Sequence, residues 1–246
     1  MKVHILQDAQ ELGETAASLA AHIINERIAE KGKVRLVLST GASQFETIEA
    51  LVKKEIDWTK VEMFHLDEYV GLSTQHPASF RKYLQERFVN LVPIQMVHFV
   101  NGEGDIEEHL AELSREIRKE PIDLALIGIG ENAHIAFNDP PADFATKEAY
   151  IVVNLDENCK KQQVREGWFP GVDAVPQQAI TMTVHQILQS DVIISSVPHK
   201  AKANAIRAFF EQEVTNTVPA TILKTHPQYS LFLDKESASE VDPKFI

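Results

Sequence analysis

The chain has 246 residues, enough to bury a sizeable core in one large α/β domain or two small ones, and its 44% hydrophobic and 24% charged residues are those of an ordinary globular protein. A net charge of −12 argues against nucleic acid or an anionic membrane as the main partner. The single Cys159 excludes an intrachain disulfide framework and a cysteine-rich zinc site, and no apolar run approaches the roughly 20 residues of a membrane span. The first ten residues, M-K-V-H-I-L-Q-D-A-Q, lack the apolar stretch of a signal peptide, so a cytoplasmic location is expected.

In chain order, residues 9–30 carry Ala, Leu and Ile at helical spacing and predict a long first helix. Residues 34–39 (V-R-L-V-L-S) predict a strand, followed by T-G-A-S and a helix to about residue 53. Strands are expected at 61–65, 97–100, 124–129, 150–153, 191–197 and 229–233, with helices at 79–88, 106–119 and 201–212. Strands separated by helices of this length predict an α/β fold. The expected form is a single doubly wound, mostly parallel, Rossmann-like sheet with helices on both faces, formed by the whole chain 1–246.

Polar residues gather where such sheets bind ligands, just beyond the carboxyl ends of strands. After the first strand, Ser39, Thr40, Gly41, Ala42 and Ser43 form a small-residue turn at a helix start, where N–H groups and hydroxyls can converge on phosphate. The alternative is that Ser43 only caps the helix. After the next strand, F-H-L-D-E-Y-V-G presents Asp67 and Glu68, so that one can face a cleft and the other packing. A partly desolvated carboxylate there suits proton abstraction next to a carbonyl; the alternative is a turn pair. After the strand at 124–129, G-E-N-A-H-I-A-F-N-D-P presents Glu131, Asn132, His134, Asn138 and Asp139, either a proton-transfer histidine or a hydrogen-bonded loop histidine. Lys200, following the strand at 191–197, and Arg165 are candidate contacts to an anion, with solvated surface as the alternative, and His76 reads as a surface histidine. No H-E-x-x-H, P-loop lysine or G-x-S-x-G elbow is present in the sequence.

Taken together, S-T-G-A-S, F-H-L-D-E-Y-V-G-L with H-P-A-S-F, G-I-G-E-N-A-H-I-A-F-N-D-P, H-K-A-K-A-N-A-I and P-A-T-I-L-K-T-H-P resemble the glucosamine-6-phosphate deaminase (isomerase) family, in order and over nearly the whole length. That family shares its fold with 6-phosphogluconolactonase. The resemblance implies a small sugar phosphate as partner, no metal or organic cofactor, and conversion of an amino-sugar 6-phosphate to ketose 6-phosphate and ammonia. It implies that Asp67 moves a proton between C2 and C1, and that His134 opens the sugar ring. Ser39, Thr40, Gly41, Ala42, Ser43 and Lys200 would hold the phosphate, joined by Arg165 after a one-residue shift.

The family's catalytic loop reads G-N-D-G-H with a glutamate five residues after the histidine, whereas this chain has Asn132 and Asp139 at those positions. An amide orients an imidazole without neutralising it, so Glu131 is the expected source of the missing charge. A lactonase would show D-E-R and G-x-D-G-H-T-A-S-L-F-P instead, which favours the deaminase side. A non-catalytic sugar-phosphate sensor is the reading from another class, but such sensors carry a DNA-binding module for which no room is expected here. Homo-oligomerisation is left open.

Overall fold

β1 (Lys2–Leu6) leads into α1 (Ala9–Lys31), and β2 (Val34–Leu38) into α2 (Phe45–Leu51). β3 (Val61–His65) runs straight on to the short β4 (Asp67–Tyr69), followed by α3 (Phe80–Arg87), β5 (Met96–His98) and α4 (Ile106–Ile117). The second half contributes β6 (Leu124–Leu126), β7 (Tyr150–Asn154), α5 (Glu157–Arg165), β8 (Gln178–Met182) and α6 (Val184–Leu188). β9 (Val192–Val197), α7 (Ala203–Glu211) and β10 (Tyr229–Asp234) complete the set. This computed structural model describes residues 1–245, and among them no helix is long and apolar enough to cross a membrane.

Seven strands form one parallel sheet in the order β1-β10-β9-β6-β2-β3-β5. Strand alternation divides its residues between two cores. Leu36, Leu38, Met63, Leu124, Leu126, Ile194 and Phe232 pack with α1, α2 and α3 on one face. Val37, Phe64, Ala125, Ile193, Leu231 and Leu233 pack with α4, α6 and α7 on the other. Both faces are therefore covered, which is why the inner strands read as continuous apolar runs.

Local chemistry sets the limits of these elements. The Asp8 carboxylate accepts the Glu11 N–H at 2.9 Å to cap α1, and Gly32, at φ 77°, ends it with an N–H donated to the Ile28 carbonyl. Gly13 lets α1 approach α2 closely, because a Cβ there would lie 2.6 Å from the Glu46 backbone. Arg35, the second residue of β2, is only 2% exposed. Its guanidinium donates to the carbonyls of Glu116, Ile117 and Glu120 at the end of α4 and to the Glu62 carboxylate. A charge inside an apolar strand thus caps the carboxyl end of the helix lying across it.

A second, three-stranded antiparallel sheet has the order β4-β8-β7, with Asp67 opposite Thr181 and Tyr150 opposite Met182. The strand expected at 150–153 belongs to this sheet and not to the parallel one. Its alternating burial explains why: one side of β7 faces solvent, as antiparallel sheets allow and buried parallel strands do not. β1, β4 and β8 were not among the expected strands, nor α5 and α6 among the expected helices. The strand expected at 97–100 is β5, which begins one residue earlier and ends two residues earlier, at His98.

Candidate active site

The strand order reverses between β2 and β6. From β2 the chain steps outward through β3 to β5, then crosses to β6 and continues outward through β9. At such a reversal the loops from two neighbouring strands diverge and leave a crevice at the carboxyl edge. A cleft of about 260 Å³ lies there, walled by the loops after β2, β3, β6 and β9 and by α5.

The loop after β2 lines one end of this cleft with Ser39, Thr40, Gly41, Ala42 and Ser43. Ser39 is tied to the loop after β6: its N–H donates to the Leu126 carbonyl, and its hydroxyl accepts the Gly128 N–H at 3.1 Å. Gly41 adopts φ 97°, a conformation that favours glycine. Ser43 caps neither the short 3-10 turn at Ala42–Gln44 nor α2; its hydroxyl accepts from the Gln44 side-chain amide at 3.1 Å.

Asp67 and Glu68 have opposite environments. The Glu68 carboxylate is fully buried and accepts the N–H groups of Tyr69, Phe80 and Arg81 and the Ser79 hydroxyl at 2.7–3.2 Å. Asp67 faces the cleft, 6% exposed, with its Oδ1 unpartnered. Burial, reinforced by the neighbouring Glu68 charge, pushes its carboxyl up to about 8. Once ionised, a carboxyl of that kind is a stronger base than an ordinary carboxylate.

The loop after β6 carries His134. The Asn132 side-chain oxygen accepts the His134 N–H at 3.1 Å, and the His134 carbonyl accepts the Gly130 N–H at 2.9 Å. A Cβ at Gly130 would overlap the imidazole, so glycine makes room for the ring. His134 Nδ1 lies 3.1 Å from Asp139 Oδ1, off the line of an ideal hydrogen bond. Asn132 Nδ2 donates to the same oxygen at 3.0 Å. Burial pushes the Asp139 carboxyl up, but the His134 ring, the Asn132 amide and the Cys159 thiol together outweigh it and hold the group below its ordinary value. The far side of the loop is fastened to β8. The Phe137 N–H donates to the Thr181 hydroxyl at 3.1 Å, and Asn138 Nδ2 to the Met182 carbonyl at 2.9 Å.

The charge expected of Glu131 goes elsewhere. Its carboxylate lines the cleft but holds the Arg165 guanidinium at 2.5 Å, leaving Asp139 as the partner of the imidazole. Arg165 itself is largely exposed and outside the cleft wall. Lys200 is also displaced from the expected site. Its ammonium donates to Ser239 and Glu240 at 2.7 Å on the outer surface, while Lys202 lines the cleft. Residues 200–202 form a 3-10 turn, in which side chains two positions apart point about 120° away from each other. Burial lowers the Lys202 ammonium pKa, and the carboxylates of Glu166 and Glu131 work against that. The turn begins at His199, whose φ of 78° is a conformation open chiefly to glycine and whose N–H donates to Asp234 at 2.8 Å. His76 stays outside the cleft, stacked on Phe169. Gln162, Gln163, Glu166 and Trp168, from α5 and the residues just after it, close the remaining side.

Residues 7–231 match the family model described as glucosamine-6-phosphate isomerases/6-phosphogluconolactonase. The chain belongs to this family. Among its members, the glucosamine-6-phosphate deaminase of Lactobacillus delbrueckii subsp. bulgaricus is 33% identical over 97% of this chain and 99% of its own length. The deaminase of Thermoanaerobacter pseudethanolicus is 37% identical, covering 97% of this chain and 94% of its own. Among solved structures, a monomeric glucosamine-6-phosphate deaminase superposes with a TM-score of 0.88 at 32% identity, covering 98% of this chain and all of that one. The 6-phosphogluconolactonase of Thermotoga maritima, at 19% identity and a TM-score of 0.79 over 95% of this chain and 99% of its own, shares the fold.

Proposed function

We propose that this family member converts glucosamine 6-phosphate to ketose 6-phosphate and ammonia. The observation that carries the reading is the pairing, across one cleft, of an unpartnered buried carboxyl at Asp67 with the His134–Asp139 pair. The full-length likeness to deaminases supports the choice of reaction.

In this reading the 6-phosphate sits at the end of the cleft formed by Ser39, Thr40, Gly41, Ala42, Ser43 and Lys202. Backbone N–H groups, hydroxyls and one ammonium suit a dianion. The sugar then extends towards the loop after β6. His134 takes the proton from the anomeric hydroxyl and returns it to the ring oxygen, opening the ring. Asp139 keeps the imidazole oriented and balances its charge while it carries that proton, and Asn132 holds Asp139 and the loop backbone in register. Asp67 removes the proton from C2 of the open aldehyde and delivers it to C1, while a proton from the amine passes to O1, which leaves an imine at C2. Water adds to that carbon, the C–N bond breaks, and ammonia leaves with the added proton. Asp67 suits the first of these steps because its raised pKa gives it basicity.

Ammonia release and ketose 6-phosphate formation from glucosamine 6-phosphate, measured beside galactosamine 6-phosphate and 6-phosphogluconolactone, test the proposal. Ammonia and ketose in equal amounts from an amino sugar support it. Turnover of the lactone with none of the amino sugars refutes it.

A further inference from the structure

Glu131 is the one acid of the catalytic loop that the proposed chemistry leaves without work. Its carboxylate lies on the cleft wall, yet it contacts neither the His134 ring nor Asp139; its partner is Arg165, at 2.5 Å, on the last turn of α5. It also bears electrostatically on Lys202, the cation inside the cleft. Glu131 therefore neutralises part of the charge of both Arg165 and Lys202. The neighbouring Glu166 accepts from Gln162 and Trp168, at 2.7 and 3.2 Å, and also bears on Lys202, but it makes no hydrogen bond to Arg165.

We propose that Glu131 is an anion-competing residue that holds Arg165 at the rim of the cleft and so sets how strongly the site takes a phosphate dianion. The inference rests on the sugar-phosphate reading above. Glu131 acts through Arg165 and Lys202, as a positioning residue. A phosphate monoester carries up to two charges and three acceptor oxygens, so it outcompetes a single carboxylate for a guanidinium. A neutral sugar or a monoanion gains too little to displace Glu131. The ion pair thereby discriminates against ligands that lack the dianion.

The test is calorimetric titration of the whole protein with inorganic phosphate. Glu131→Gln should bind phosphate about three- to tenfold more tightly than wild type, the range set by a partly exposed ion pair plus relief of carboxylate–phosphate repulsion. Glu131→Asp should lie close to wild type. In an Arg165→Gln background the gain from Glu131→Gln should shrink to the part due to Lys202, less than half of the single-variant effect. KM for the amino-sugar phosphate should fall in parallel with the phosphate Kd. Equal or weaker phosphate binding by Glu131→Gln, or a gain fully retained in the Arg165→Gln background, overturns the proposal. Ammonia release by wild type reads the deaminase proposal separately. A silent deaminase assay with the phosphate series as expected removes that activity and leaves the competing role of Glu131 standing.

Discussion

Asp139→Asn removes one charge from the imidazole partner and keeps its shape. In the structure Asp139 Oδ1 is 3.1 Å from His134 Nδ1, and the two side chains are 14% and 16% exposed. At an effective dielectric constant of about 20, unit charges at that separation attract by about 5 kcal/mol. Partial solvent access and incomplete charge on the ring in the transition state reduce the usable share to about 2–3 kcal/mol, a loss of about 30- to 150-fold in kcat. The loss should fall on ring opening and spare proton transfer at C2. The assay is ammonia release from glucosamine 6-phosphate with protium or deuterium at C2. In Asp139→Asn the C2 isotope effect on kcat should collapse towards unity, because an earlier step has become slow. A kcat within threefold of wild type refutes the reasoning, as does an isotope effect as large as that of wild type.

Asp67→Asn should lower kcat by at least about 10³-fold while sugar-phosphate binding persists in calorimetry, and wild-type kcat/KM should climb with pH through a limb near 8 as the carboxyl ionises. The same carboxyl holds its proton in the fold up to about 8 but ionises near 3.8 when unfolded, so the native state binds the extra proton and wild-type stability falls as pH rises between those values. Asp67→Asn should therefore melt above wild type at pH 8, with the gap closing by pH 4; a pH-independent gap contradicts the assignment. Gly130→Ala drives a methyl into the His134 ring and should cost about 10²-fold in kcat while far-UV circular dichroism stays native; wild-type kcat would show the loop yields freely. His199→Gly removes backbone strain at φ 78° and should raise unfolding stability by about 1–2 kcal/mol in urea titration; a loss of stability would mean the imidazole contributes more than the strain.

The parallel sheet was legible because its inner strands are short apolar runs followed by turn residues, and such runs mark where ligand loops begin. The loops of Asp67 and His134 were found that way, since each follows a buried strand directly. The elements that were missed lack that signal. α5 buries Lys160, Gln162 and Gln163 beside Cys159, so its inner face is mostly polar and shows no apolar stripe. β4 is three residues long and two of them are acids. Lys200 and Lys202 are alike in the sequence, and only the geometry of the turn decides which one enters the cleft. Glu131 was drawn to the imidazole by its nearness along the chain, whereas its partner lies 34 residues away. The capping role of Arg35 was hidden for the same reason: its acceptors lie more than 80 residues further on.

Thr181 is a wholly buried residue that belongs to neither catalytic loop, yet it pairs in register with Asp67 and takes the Phe137 N–H on its hydroxyl. One position in β8 therefore ties the strand of Asp67 to the loop that carries His134. The two loops leave the larger sheet from different strands, β3 and β6, and the smaller sheet braces them together. A substitution at Thr181 would therefore disturb Asp67 and Phe137 at once, from a position outside the cleft wall.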